Sequence, residues 1–319
     1  MCSEYLSEML VQHGKNMPIF FVTGATGWLG RSVLHELQKL IPPDCFNDRV
    51  CAFGSKTGSV YSTFYEYDSK ISIPIYSLSD ISSFARNRKI YIVHSAFLTK
   101  DRLPACGYTS FVETNRWITN TICQAISSAD QSRVVEISSG AAALSAERHE
   151  SCLDASVDPY GFLKLFEEQV LSEATVTQVF RIYALTGRFI RDPLSFALGD
   201  FLMCTLKDSP IHVKAKGPVI RGYVSASDVA RTALCWLMSH EDPCGPVSAI
   251  SHTVSLTALA AMISSMFKLP PVVSEALIEP PNSYSDSPSG FLGMMNSYGL
   301  KPITLADQIM DTARGLGLI

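Results

Sequence analysis

Tyr160-Gly-Phe-Leu-Lys164 is the only YxxxK spacing in a chain of 319 residues. On a helix, positions i and i+4 share one face, so both side chains reach the same spot. A phenol has a pKa of about 10 and is a poor base at neutral pH. An ammonium beside it favours the phenolate. At about 4 Å and an effective dielectric of about 20 the attraction is about 4 kcal/mol, up to about three pKa units before desolvation opposes it. Such a pair suits proton exchange with a hydroxyl or carbonyl oxygen near neutral pH. Upstream, Ser138-Ser139-Gly140 offers hydroxyls at the end of an apolar run.

These groups meet only if a helix carries the tyrosine and a neighbouring strand ends at the serines. Short apolar runs predict strands at Pro18–Thr23, Arg49–Phe53, Lys89–His94, Arg133–Ile137 and Val176–Arg181. Amphipathic stretches predict helices at Leu29–Leu40, stopped by Pro42-Pro43, at Phe111–Ser127 and at Tyr160–Ser172. Pro159 starts the last of these, and Glu167 and Glu168 continue its amphipathic pattern. Strands alternating with helices predict βαβ units and a parallel sheet, whose ligands sit beyond the carboxyl ends of the strands.

Thr23-Gly24-Ala-Thr26-Gly27-Trp28-Leu29-Gly30-Arg31 joins the first strand to the first helix. Gly24 permits the tight turn, Gly27 the approach of backbone to a pyrophosphate, and Gly30 close helix–strand packing. The helix N-terminus adds free N–H groups and a partial positive charge. We therefore expect an α/β fold: a Rossmann-type doubly wound parallel sheet with a smaller C-terminal substrate-binding lobe. Residues 17–185 plus 218–240 are expected to bind NAD(P), and residues 186–217 plus 241–319 to form the substrate lobe. An acid at the end of the second strand would hold the ribose 2′-hydroxyl of NAD. The chain has Phe53-Gly54-Ser55-Lys56 there. Ser55 and Lys56, helped by Arg31, suit a 2′-phosphate, which favours NADP as cofactor with NAD as the alternative.

The GxxGxxG turn and the YxxxK pair together resemble the extended short-chain dehydrogenase/reductase family, which includes nucleotide-sugar epimerases, dehydratases and reductases. The resemblance runs from Pro18 to about Gly315. It implies that Ser139 orients the reacting oxygen, with Ser138 as the nearby alternative, that Tyr160 exchanges its proton, and that Lys164 also holds the nicotinamide ribose. It assigns cofactor contacts to Gly24, Thr26, Gly27, Trp28, Leu29, Gly30 and Arg31, and to Ser95-Ala96 after His94. Asn115, Ser77 with Leu78, and Tyr183 complete that set. Ser77 departs from the family, which usually has an Asp there. Arg221, in Arg221-Gly-Tyr-Val-Ser-Ala-Ser-Asp228, and Arg188 are the implied substrate contacts, an Arg fork being suited to a diphosphate. Asp228 reads as a first-turn helix acid.

Gly140-Ala-Ala-Ala-Leu144 lacks the acidic pair of the dehydratases, and Ala184 stands where many epimerases have a substrate Asn. The expected activity is an NADP-dependent reductase of a nucleotide-activated 4-keto sugar. A 4-epimerase with tightly bound NAD is the alternative, and a dinucleotide-binding regulator without catalysis is the reading from another class. The resemblance also implies a homodimer, paired through the helices around Phe111–Ser127 and Tyr160–Ser172.

Composition excludes other classes. Hydrophobic residues make up 47% and charged residues 18%, with a formal net charge of -4, so there is no basic surface for nucleic acid. Nine scattered cysteines without a CxxC pair read as reduced thiols, with no metal site. Met1–Lys15, with Glu4, Glu8 and His13, does not read as a signal peptide, and no apolar run is long enough to span a membrane. A cytoplasmic protein with a small-molecule substrate is expected.

Overall fold

The computed structural model describes residues 18–64, 69–149, 158–239, 241–275 and 279–319. The N-terminal stretch assessed for a signal peptide lies outside the described residues, as do Cys2 and Cys152. The chain forms two compact units, Met1–Arg181 with Ala230–Val247, and Ile182–Val229 with Ser248–Ile319. Residues 182–185 and 218–229, expected with the dinucleotide-binding part, group with the second unit. The reason is local pairing: Ala184, Leu185 and Thr186 lie beside Tyr223, Val224 and Ser225 as parallel strands.

The first unit is built on a large sheet. Its strands are β1 (Ile19–Thr23), β2 (Val50–Gly54), β3 (Gly58–Phe64), β4 (Ser69–Ser77), β5 (Lys89–His94), β6 (Gln131–Ser139) and β7 (Val176–Ile182). The spatial order is β7-β6-β5-β1-β2-β4-β3, and the strand that begins at Val247, the last residue of this unit, borders β7. Pairings from β4 through β6 are parallel, and β3 runs antiparallel to β4 at the edge. Phe20, Phe21 and Val22 are all buried, as expected of a strand covered on both faces. The order reverses at β1, between β2 and β5, which puts a crevice beyond the carboxyl ends of those strands.

Four helices bear on the site: α1 (Trp28–Gln38), α2 (Tyr108–Ser128), α3 (Gly140–His149) and α4 (Pro159–Ala174). Phe21, Phe53, Ile92, Ile118, Ile122 and Leu171 share one apolar core that fixes α2 and α4 on the sheet. Each such buried side chain contributes about 1.5–3 kcal/mol relative to exposure. Two elements depart from expectation. Pro43 opens a short helix, Pro43–Arg49, because proline at the first helical position starts a helix as readily as it stops one. The β3–β4 hairpin occupies residues to which the sequence pattern assigned no element.

The second unit holds a smaller sheet of β8 (Ala184–Thr186), β9 (Val219–Ser225), β10 (His252–Ser255) and β11 (Asn282–Tyr284). β9 pairs with all three others. Leu198, Phe201, Leu202, Tyr223, Ile263 and Ile309 form its core. Among the described residues, no helix is long and apolar enough to cross a membrane, and none of the seven cysteines is in a disulfide.

Candidate active site

Gly24 has φ +64, and a Cβ there would lie 2.7 Å from the Ser95 carbonyl oxygen, so the turn after β1 tolerates only glycine at that point. At Gly30 a Cβ would collide with the Gly24 carbonyl, so this glycine packs against the turn itself. Helix α1 then starts at a Gly27 cap without a side-chain hydrogen bond and with no acid in its first turn, an end suited to an anion. The Ala25 amide donates to the Phe53 carbonyl at 3.0 Å and ties the turn to β2. A Cβ on Gly54 would lie 3.9 Å from Thr26 Cγ2, and Ser55 and Lys56 are exposed just beyond it. Arg31 is half-buried on α1.

The loop after β5 is fixed to this turn by one hydroxyl. Thr23 Oγ1 accepts from the amides of Ser95, at 3.2 Å, and Ala96, at 3.3 Å. Its lone proton is then left for His94 Nδ1, 2.7 Å away. That sets the His94 tautomer: Nδ1 accepts, and Nε2 donates to Glu167 Oε1 at 3.0 Å. Asn115 holds the same loop from α2. Its Oδ1 accepts from the Leu98 amide at 2.7 Å and its Nδ2 donates to the Leu98 carbonyl at 3.2 Å. Its amide is thus bound to the loop backbone. Ser77, at the end of β4, accepts from the Ser79 amide and caps a short 3-10 turn in which Leu78 is buried.

Ser138 and Ser139 end β6, as expected, and both are buried. They differ in partners. The Ser138 hydroxyl donates to Glu168 Oε1 at 2.5 Å, which engages its proton within the protein. Ser139 Oγ accepts from the Ala141 amide at 3.2 Å at the start of α3.

Helix α4 presents Tyr160 and Lys164. Asp158 caps it by accepting from the Gly161 amide, and Pro159 occupies its first turn. The Tyr160 ring meets Phe97 edge-on, with centroids 5.7 Å apart. Lys164 is 3% exposed, and its ammonium lies 3.9 Å from the same Phe97 ring. Phe97 therefore joins the two side chains, a role the sequence did not suggest. Lys164 Nζ donates to the Ile137 carbonyl at 2.9 Å and to Glu167 Oε2 at 2.7 Å.

Glu167 and Glu168 do not face solvent: both are buried, at 0% and 4% exposure. Glu168 pairs with Arg181 through two hydrogen bonds, at 2.9 and 2.6 Å. Nor does Lys164 face Tyr160 as an unopposed ammonium, because Glu167 lies against it. Burial works against the lysine's charge, but Glu167 first, then Glu136 and Tyr160, act the other way, and the net shift of its pKa is upward. Burial likewise opposes charge on Glu167, yet Lys164 and then His94, each by charge and by hydrogen bond, hold that carboxyl down to about 2. Thr119, on α2, also donates to Glu167 Oε1, at 3.1 Å. A further acid, Glu136, lies beside them on β6, wholly buried. Its signal was an acid inside the apolar run Val134-Val135-Glu136-Ile137, since lone carboxyls are rarely fully buried.

The remaining expected contacts lie in the second unit. Tyr183 stacks near Tyr284 and its hydroxyl reaches Asp286 and Ser248. Arg188 is held by Asp311, with its Nε 2.8 Å and its Nη2 2.6 Å from Oδ1. A phosphate there would compete with that carboxylate. Arg221, on β9, donates to the Asn282 side chain at 2.9 Å and to the Ile220 carbonyl at 2.8 Å. Asp228 is buried and accepts from the Ile303 amide, a structural task consistent with a first-turn acid.

Solved structures share this fold. A UDP-N-acetylglucosamine 4-epimerase from Methanobrevibacter ruminantium, in complex with UDP-N-acetylmuramic acid, superposes with a TM-score of 0.70 at 15% identity, over 94% of this chain and 98% of that one. A UDP-glucose 4-epimerase from Thermotoga maritima, with UDP-glucose, gives 0.66 at 16% identity, over 95% and 99%. A dTDP-glucose 4,6-dehydratase from Streptomyces venezuelae, with NAD bound, gives 0.66 at 19% identity, over 95% and 97%. No curated protein matches the sequence. At these identities the likeness is one of fold. The sequence itself goes further: the profile of the NAD dependent epimerase/dehydratase family matches residues 20–247, and the chain belongs to that family.

Proposed function

We propose that this protein is an NAD(P)-dependent oxidoreductase whose substrate is a nucleotide-activated sugar, and that its reaction is the NADPH-dependent reduction of a 4-keto group. The observation that carries the reading is the joint fixing of Tyr160 and Lys164: Lys164 is anchored to the Ile137 carbonyl, two residues before Ser139, on the strand that ends at the serine. Family membership supports the class of chemistry. The dinucleotide, when bound, supplies hydride to the carbonyl carbon. Tyr160 gives its proton to the oxygen, Ser139 orients that oxygen, and Lys164 stabilises the phenolate left behind.

The residues present suit a dinucleotide. Gly24, Thr26, Gly27, Trp28, Leu29 and Gly30 form an acid-free helix start for the pyrophosphate. The exposed Ser55 and Lys56, without an acid at the end of β2, support a 2′-phosphate and hence NADP. Arg221 and Arg188, in the second unit, are the proposed diphosphate contacts, Arg188 after release from Asp311. A nucleotide-sugar 4-epimerase remains the alternative. We also read the protein as cytoplasmic and homodimeric. A groove lined by Tyr108, Val112, Arg116, Phe162 and Phe166 between α2 and α4 is the proposed seat of the second copy.

Calorimetry on apo protein with NADPH and NADH tests the cofactor. Tighter NADPH binding, weakened about tenfold or more in Lys56→Ala, is expected for one lost charge-assisted contact. NAD that cannot be stripped puts the epimerase first. Turnover of keto-sugar nucleotides tests the rest. Tyr160→Phe should lower it about 10²–10⁴-fold while cofactor still binds. Cofactor binding with no turnover of any sugar nucleotide, and no effect of Tyr160→Phe, would favour a non-catalytic regulator.

A further inference from the structure

The proposed chemistry leaves one buried acid without a task. Glu136 is 0% exposed, and neither of its carboxyl oxygens has a donor facing it. The groups around it come from every element packed there: Glu167, Lys164 and Glu168 on α4, His94 on β5, and, beyond Glu168, Arg181 on β7. Tyr160 lies at the other end of Lys164.

Hydrogen-bond accounting assigns Glu136 a proton. A carboxylate accepts about four hydrogen bonds. Glu167 takes His94 and Thr119 on Oε1, and Lys164 on Oε2. One position on Glu167 remains, and it faces another carboxyl, which fills it only as an O–H donor. The charge count agrees. Arg181 balances Glu168, and the Lys164 ammonium lies against Glu167. With Glu136 protonated, Lys164 and Glu167 cancel. With Glu136 ionised, one buried negative charge is left over, an unfavourable state. Burial and the Glu167 charge both push the Glu136 carboxyl well above the ordinary carboxylate range, against the pull of Lys164.

We propose that Glu136 is a positioning residue that keeps a proton shared with Glu167, and that this neutral carboxyl sets the charge balance around Lys164 and so the pH range in which Lys164 supports Tyr160. The second half rests on the functional reading above; the first does not. When Glu136 gives up its proton to solvent, a second carboxylate competes for the lysine ammonium. The field of Lys164 at Tyr160 is then offset, the phenolate is disfavoured, and activity declines on the alkaline side. Glu136→Gln copies the protonated form and has no proton to lose in this range.

Infrared spectroscopy of the full chain in D2O near neutral pH, with carboxyl-labelled glutamate, reads the proton directly. The carbonyl stretch of a protonated glutamic acid is expected in the wild type and lost in Glu136→Gln. Its absence from the wild type, or its survival in the variant, would overturn the assignment whether or not the protein turns over a sugar. The coupling to Tyr160 is read by tyrosinate absorbance, as the wild type minus Tyr160→Phe difference across alkaline pH. That titration should move to lower pH in the Glu136→Gln background. An unmoved titration refutes the coupling and leaves the function open. If Glu136→Gln does not fold, Glu136→Leu, which also removes the proton without adding charge, takes its place in both measurements.

Discussion

Glu167 and Glu136 lie side by side, and their pKa values move in opposite directions, which gives acid and base consequences for stability. Glu167 is held down to about 2 in the folded chain, against 4.5 in the unfolded one. Its contribution is therefore present above about pH 4.5 and is lost as the pH falls toward about 2. Glu136 is raised, so folding takes up a proton there at neutral pH, and that opposes folding increasingly as pH rises above about 4.5. Thermal unfolding of Glu136→Gln should thus gain on the wild type steadily from about pH 5 to about pH 8. A gain independent of pH would show that Glu136 is ionised in both states. The pair also predicts a coupling. In Glu167→Gln, Glu136 can give up its proton and become the counter-ion of Lys164, so the loss of stability should be modest. In the Glu136→Gln, Glu167→Gln double variant Lys164 is left unpaired, and denaturant titration should show a loss of about 3–5 kcal/mol, more than the two single changes added together. At this scale the helix that carries Tyr160 and Lys164 and the strand that ends at Ser139 were legible from the sequence pattern. The polar cluster was not, since Glu167 finds its partners at His94 and Thr119, far away along the chain. A helix of this pattern ordinarily turns consecutive glutamates to solvent.

The elements of the parallel sheet were legible for a related reason. Runs such as Phe20-Phe21-Val22 and Val134-Val135 must be covered on both faces, and sequence shows that without knowledge of neighbours. The β3–β4 hairpin was not legible, because Ser, Thr and Tyr dominate Gly58–Ser77 and it lacks a continuous apolar run. Nor does a motif describe the loop after β5. It is held by two side chains, Thr23 from the strand and Asn115 from the helix. Asn115→Ala should release the Leu98 amide and carbonyl and lower stability by about 1–3 kcal/mol. If the loop lines the dinucleotide, the KM for cofactor should rise more than kcat falls in steady-state assays. An equal change in both would assign the clamp to folding alone.

At the scale of the whole molecule, the family profile ends at residue 247, and 248–319 lies beyond it. That segment supplies most of the second unit, so the substrate was the least legible part of the function. Assembly is testable without a substrate. Tyr108, on α2, is 47% exposed and lines the groove proposed to seat the second copy. Sedimentation should find a dimer for the wild type and a monomer for Tyr108→Glu; a wild-type monomer would refute the homodimer. The buried polar cluster has a historical consequence as well. Thr23, His94, Thr119, Lys164 and Glu167 come from four separate elements and are joined by hydrogen bonds that converge on Glu167, with Glu136 buried beside them. A lineage that changes any one of them strands its neighbour, so neutral drift at these positions has to proceed in concert. Descendants of this chain should keep the set entire or exchange it wholesale for apolar residues, and intermediate combinations should be rare.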